Sequence, residues 1–188
     1  MIVDLGTGDG RAVLWAAASD PRALVLGIDA AAASMAEASR RAARPERKGG
    51  RPNAIFLAAG VERLDSVLDG SADLVTVTLP WGSLLRGALA LDEAGAVTGA
   101  ITRLPTPGGL VEMLLSVTPR DGIVGLPCLD EAAIAGIAMR WAAASLCLVE
   151  ARPATATDLA ATSSTWAKRL RAGGTDRDAW RLVLRRLP

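Results

Sequence analysis

The chain has 188 residues, 21 Lys+Arg against 20 Asp+Glu for a net charge of +1, and no histidine. This length suits one α/β domain with a proper core; without an imidazole there is no Ser-His-Asp or Cys-His couple, no HExxH helix and no His-ligated metal. Two distant cysteines (Cys128, Cys147), no apolar run of the roughly 18 residues that span a membrane, and no signal peptide point to a soluble cytoplasmic protein with buried free thiols and no metal site.

In chain order, a strand at 2–5 runs into the glycine-rich loop Gly6-Thr7-Gly8-Asp9-Gly10, and a helix follows to about residue 19. The continuous apolar run at 23–28 reads as a strand covered on both faces. An alanine-rich helix at 31–44 stops at Pro45 and Gly49-Gly50. Strands at 54–58 and 72–79 precede helices at 82–89 and 92–103. Thr106-Pro107-Gly108-Gly109 turns the chain into a strand at 110–117; a helix at 130–143 and strands at 145–149 and 179–184 complete the order. Such β-α alternation predicts one α/β domain over 1–188, a mostly parallel seven-stranded sheet with helices on both faces. Trp15, Trp141 and Trp180 fall on apolar faces and are expected in the core.

The near-neutral total hides two basic segments. Arg40, Arg41, Arg44, Arg47, Lys48 and Arg51 stand against Glu46 alone. Lys168, Arg169, Arg171, Arg177, Arg181, Arg185 and Arg186 stand against Asp176 and Asp178. Each segment carries a local excess of five positive charges, which reads either as a docking surface for a polyanion or as a solvated face.

The strand–loop–helix context of Gly6–Gly10 is that of a nucleotide loop, whose glycines let backbone approach a ligand closely. Asp29 ends the next strand, where its carboxylate can accept from both hydroxyls of a ribose. That spacing also fits a nicotinamide dinucleotide, but the glycines read G-x-G-x-G and Asp4 precedes them. A carboxylate there would repel a pyrophosphate and attract the ammonium of a methionine moiety. The pattern resembles motifs I and II of the class I S-adenosylmethionine-dependent methyltransferases, which implies their Rossmann-like fold; another nucleotide binder is the alternative. Glu62 stands where a loop meets the adenine ring, or is simply an acid at a helix N-terminus.

Trp81 follows Thr78-Leu79-Pro80 at the end of the fourth strand, beside the expected methyl donor. Trp166 lies in the polar segment Ser163-Ser164-Thr165-Trp166-Ala167-Lys168-Arg169-Leu170. It reads as a stacking platform for an unstacked base, or as a loop anchor. Two such rings could sandwich a base flipped out of an RNA helix.

Asp4–Arg11 (DLGTGDGR), Lys48-Gly49-Gly50 with Asn53, Pro80–Leu85 (PWGSLL) and Trp166–Leu170 (WAKRL) together resemble the Kam-type aminoglycoside-resistance methyltransferases of 16S rRNA. That group modifies N1 of the decoding-site adenine, adenine-1408. The resemblance implies a pocket for S-adenosyl-L-methionine at Asp4, Gly6, Gly8, Ala12, Asp29, Val61, Glu62, Thr78, Leu79, Pro80, Gly82, Ser83 and Thr165. It implies base clamping by Trp81 and Trp166 with Ser164 alongside. It places RNA contacts at Arg40, Arg41, Arg44, Arg47, Lys48, Lys168, Arg169 and Arg171, on 16S rRNA within the 30S subunit, for a monomer. Relatives carry an N-terminal β-hairpin ahead of the first strand, so an upstream segment is expected before Met1. Their usual Ala-Ala-Glu is here Gly60-Val61-Glu62, and residues 118–129 and 172–178 fall outside the resemblance. The other readings are a small-molecule methyltransferase and a non-catalytic ribosome-binding relative.

Overall fold

Val25–Asp29 is buried at four of its five positions, as a strand covered on both faces must be. The computed structural model describes residues 1–117, 125–162 and 179–188. In it β1 (Ile2–Leu5), β2 (Val25–Asp29), β3 (Ala54–Ala58), β4 (Ala72–Thr78), β5 (Pro105–Leu115), β6 (Leu146–Pro153) and β7 (Trp180–Arg186) form one sheet. The order is β3-β2-β1-β4-β5-β7-β6. The first five strands run parallel, and β7 lies antiparallel between β5 and β6.

Side-chain alternation sorts the core into two layers. On one face Val3, Leu5, Ile28, Val75, Val77, Val111, Met113 and Leu115 pack under three helices: α3 (Gly82–Ala88), α4 (Ala96–Arg103) and α5 (Glu131–Ala143). Trp141 of α5 is fully buried there, and its indole N–H donates to the Ala88 carbonyl at 3.1 Å. On the other face Val25 and Ala54 pack against Val13 and Ala17 of α1 (Arg11–Ser19) and Ala42 of α2 (Ala32–Ala42). Asn53 ties this layer together: its amide donates to the carbonyls of Ala17, Asp20 and Ala23 at 2.9–3.2 Å.

Several boundaries differ from the sequence reading. β5 starts at Pro105, so Thr106–Gly109 is the bulged start of a strand, with a register shift between Ala72 and Leu74. α4 begins four residues late because the Asp92 carboxylate accepts from the backbone N–H groups of Val97 and Thr98 (2.8 and 3.2 Å), capping the helix there. α2 ends at Ala42, and Pro45 starts a short 3-10 turn, Glu46–Lys48. β6 continues to Pro153 because it pairs along β7. A sixth helix, α6 (Ala156–Ala161), follows, starting on a Thr155/Asp158 capping box.

Two burial expectations are overturned. Both cysteines are exposed, Cys147 because it sits on the sheet's outermost strand. Trp15 is 54% exposed, on the rim of α1 where no further element covers it among the described residues. Trp180 is half-buried and donates to the Leu129 carbonyl at 3.1 Å. Among the described residues no helix is long and apolar enough to cross a membrane.

Candidate active site

Parallel strands end at one edge of the sheet, and the loops leaving them wall a cavity of about 700 Å³. The β1–α1 loop carries Gly6, Gly8 and Gly10, all in left-handed backbone (φ +72°, +57°, +72°). At Gly10 space as well as conformation excludes a side chain: a Cβ there would come within 2.6 Å of the Phe56 ring and 2.7 Å of the Ala38 Cβ. The loop is pinned to β2 by Gly6 and Thr7 N–H groups donating to the Ile28 carbonyl at 2.8 and 3.1 Å. The Asp29 carboxylate completes the pinning, accepting from Gly8 N–H and Ala31 N–H, each at 2.8 Å. Asp29 therefore fixes two loops at once and still faces the cavity.

Asp4 sits beneath the loop, 6% exposed, and accepts a hydrogen bond from the Thr76 hydroxyl at 2.6 Å. Burial pushes its carboxyl above the usual range; the Thr76 bond opposes the rise and the charge of Asp29 adds to it. A cationic ligand group would restore the ionised form. Val61 is buried and Glu62 exposed in a 3-10 turn, Val61–Arg63, whose backbone places both at the cavity. Glu62 folds back over Gly60, where any Cβ would collide with its carboxylate. Thr78, Leu79, Pro80 and Trp81 leave β4 along the opposite wall, and Trp81 is 47% exposed.

Of the expected cofactor positions, Asp4, Gly6, Gly8, Ala12, Asp29, Val61, Glu62, Thr78, Leu79, Pro80 and Ser83 meet around this one cavity, with Trp81 beside them. Gly82 lies outside the lining and opens α3 instead, at φ +59°. Thr165, Ser164 and Trp166, and the basic residues Lys168, Arg169 and Arg171, lie outside the described residues. The cavity also takes in Thr7, Asp9, Ala30, Ser34, Ala59, Leu84 and Thr162. Thr7, Asp9, Ala30 and Ala59 flank the motif residues beside strand ends and are open to the same reasoning; Ser34 lies in the first turn of α2, and Leu84 one helical turn after Trp81. Thr162 had no sequence signal, because the fold of α6 alone brings it there. A second cavity of about 490 Å³ adjoins the first between α1 and β4–β5, sharing Asp4, Ala12, Thr78 and Thr162.

The basic segments fare differently. Arg41, Arg47 and Lys48 are exposed on the end of α2 and the 3-10 turn. Arg40 and Arg44 are exposed too but share Glu37, at 2.9 and 3.7 Å, and these arginines hold that carboxyl below the usual range. The turn beyond them needs glycine at position 50, where any Cβ would collide with the Arg44 carbonyl oxygen. In the C-terminal segment Arg177, like Lys168, Arg169 and Arg171, lies outside the described residues, Arg185 is exposed, and two arginines are committed to internal bonds. Arg181 binds Glu150 and Glu112 at 2.7 and 3.2 Å, and Arg186 donates to the carbonyls of Arg103 and Pro105 at 2.9 and 2.5 Å.

A parallel sheet closed by an antiparallel seventh strand, a left-handed glycine loop over a buried acid, and a second acid ending β2 define a class I methyltransferase. The family model for NpmA, 16S rRNA (adenine(1408)-N(1))-methyltransferase, matches residues 1–184. A 16S rRNA (adenine(1408)-N(1))-methyltransferase of Streptoalloteichus hindustanus is 34% identical over 174 residues, which are 90% of this chain and 80% of that protein. Among solved structures, a tryptophan-to-alanine mutant of the 16S rRNA (adenine(1408)-N(1))-methyltransferase of Catenulisporales acidiphilia, crystallised with its cosubstrate SAM, superposes with a TM-score of 0.87. It is 32% identical, over 100% of this chain and 85% of that one. The aminoglycoside resistance methyltransferase NpmB1 is 37% identical with a TM-score of 0.81, over 99% of this chain and 86% of that one. The chain belongs to the 16S rRNA (adenine(1408)-N(1))-methyltransferase family.

Proposed function

We propose that this chain methylates N1 of adenine 1408 in 16S rRNA, using S-adenosylmethionine, and so confers aminoglycoside resistance. The observation that carries the reading is the single cavity in which Asp4, Asp29 and Trp81 converge. Its residues fit the cosubstrate: a buried carboxylate for an ammonium, a second acid for ribose hydroxyls, and glycines that leave room for the chain between them. Among the described residues no cluster of His, Cys, Asp or Glu could hold a metal, and the reaction does not call for one. The substrate is read as the intact 30S subunit, and the enzyme as a cytoplasmic monomer.

S-adenosylmethionine supplies a methyl group on a sulfonium centre. Asp4 anchors the methionine ammonium, Asp29 takes the ribose hydroxyls, and Val61 and Glu62 border the adenine. Trp81 stacks on the flipped acceptor base, with Trp166 and Ser164 as its partners in the clamp. N1 of adenine carries an in-plane lone pair, so it could take the sulfonium's methyl without prior deprotonation, the S–CH3 bond breaking and the cosubstrate leaving as a neutral thioether. A chain with no histidine can run this chemistry, since holding N1 in line is the main task. The product base is cationic, and an indole face favours a cation.

Primer extension on 16S rRNA from 30S subunits incubated with the protein and S-adenosylmethionine tests the reading. A reverse-transcription stop at the decoding-site adenine is expected; read-through would overturn it. With Trp81→Ala, methylation is expected to fall by roughly 10- to 100-fold, the value of one base–indole stack, while cofactor affinity stays within about threefold. Equal loss of both would remove Trp81 from the clamp.

A further inference from the structure

Leu79 holds a backbone conformation that leucine avoids, at the point where the chain leaves β4 for Trp81. Its φ is +46°, one of three positive values at non-glycine residues among those described. Pro80 follows and disfavours the right-handed helical alternative, so Leu79 has extended or left-handed backbone to choose between. Left-handed backbone at a β-carbon residue is strained and persists only where surrounding structure imposes it.

Two contacts impose it here. The Leu79 N–H donates to the Leu114 carbonyl at 2.7 Å, continuing the β4–β5 ladder one residue past the strand. The side chain, 6% exposed, packs with Leu114 and Ala179 in a small apolar cluster separate from both main cores. Ala154 and Leu159 pack against that cluster, the latter from α6. Leu79 thus borders the cavity while its side chain is anchored in packing that α6 shares. With Pro80 buried behind it, the turn delivers Trp81 as the residue preceding α3.

We propose that Leu79 is a positioning residue: its anchored, left-handed backbone sets the orientation of the Trp81 ring, and Leu159 of α6 helps to hold that anchor. The proposal rests on Trp81 being the base-stacking residue, and it adds the device that aims it. Leu79→Gly removes the anchor and lets the turn sample both signs of φ, so the ring loses its fixed direction. Leu159→Ala thins the same anchor from the far side without touching the cavity wall.

The test uses the full chain labelled with 5-fluorotryptophan and read by 19F NMR, with the Trp81 line assigned by its loss in Trp81→Phe. The wild type is expected to give one narrow Trp81 line. In Leu79→Gly that line should shift and broaden, and in Leu159→Ala shift the same way by less. The line of buried Trp141 should stay in place, showing the fold intact. Methyl transfer to 30S subunits should fall at least tenfold in Leu79→Gly, mostly in kcat. A Trp81 line unchanged in both variants would overturn the proposal, as would a shift with no loss of transfer. The NMR is measured without subunits, so loss of aim is seen whether or not wild-type protein methylates adenine 1408; failure of that methylation would count against the proposed function alone.

Discussion

Asp4 meets two opposed demands. Its carboxyl is buried and bonded to Thr76, and burial raises its pKa; yet the proposed grip on the cosubstrate's ammonium needs it charged. An acid whose folded pKa is raised costs the apo protein stability once the pH exceeds its unfolded value. Asp4→Asn keeps the acceptor for Thr76 and removes the buried charge. Its apo Tm is therefore expected to rise by about 2–4 °C, for roughly 1 kcal/mol in a chain this long, while cofactor affinity falls at least tenfold. Calorimetry and titration on one preparation check both signs. In the wild type, cofactor affinity should weaken as pH falls through the raised pKa of Asp4, since protonation removes the partner of the ammonium. Asp4 and Asp29 were legible in the sequence because a loop of seven residues and one strand end define their surroundings. Asn53 was noticed only through the resemblance; its clasp on three carbonyls needs α1 and β2 already in place.

At the scale of elements, α6 is tied to the two strands beside it by a lattice of charges, near ones on β6 and a distant one on β7. Arg152 grips Asp158 with two hydrogen bonds, at 2.6 and 2.8 Å, and also binds Glu150 at 2.8 Å. Arg181 extends the lattice from β7 to Glu150 and Glu112. The Asp158 carboxyl is held well below the usual range, first by Arg152 and then, against burial, by Thr155. An acid with a depressed folded pKa contributes stability above its unfolded pKa, and that stability fades as pH falls through the folded value. Asp158→Asn should therefore lower stability by roughly 1–3 kcal/mol at pH 7, and the gap in Tm should begin to narrow below about pH 4 and close only as the pH falls through the depressed folded value. A gap that persists at low pH would mean that the capping geometry, not the charge, is responsible. The Thr155-x-x-Asp158 capping box is the one local signal for this helix; its six residues are too few to show a periodicity, and its partners on β6 and β7 come together only in the sheet.

For the whole molecule, charge location matters more than its total. Arg41, Arg47 and Lys48 are exposed at one end of α2, where the proposed RNA docking would use them, while Arg181 and Arg186 are committed to internal bonds. Replacing Arg47 and Lys48 together with Ala should weaken 30S binding. It should also flatten the slope of log affinity against log salt by about 0.7–0.9 for each phosphate no longer neutralised, with cofactor affinity unchanged. Filter binding across a salt series checks it; an unaltered slope would remove this turn from the interface. Read alone, the amino-acid order settles the alternation of strands and helices, the glycine loop, its two acids and Trp81, because each is written in a short window of local chemistry. It takes the folded chain to settle which of the described arginines stay exposed, that Trp15 lies open, what α6 packs against and that Leu79 is held left-handed. Those outcomes depend on what packs across the sheet from residues far along the chain, and no local window contains them.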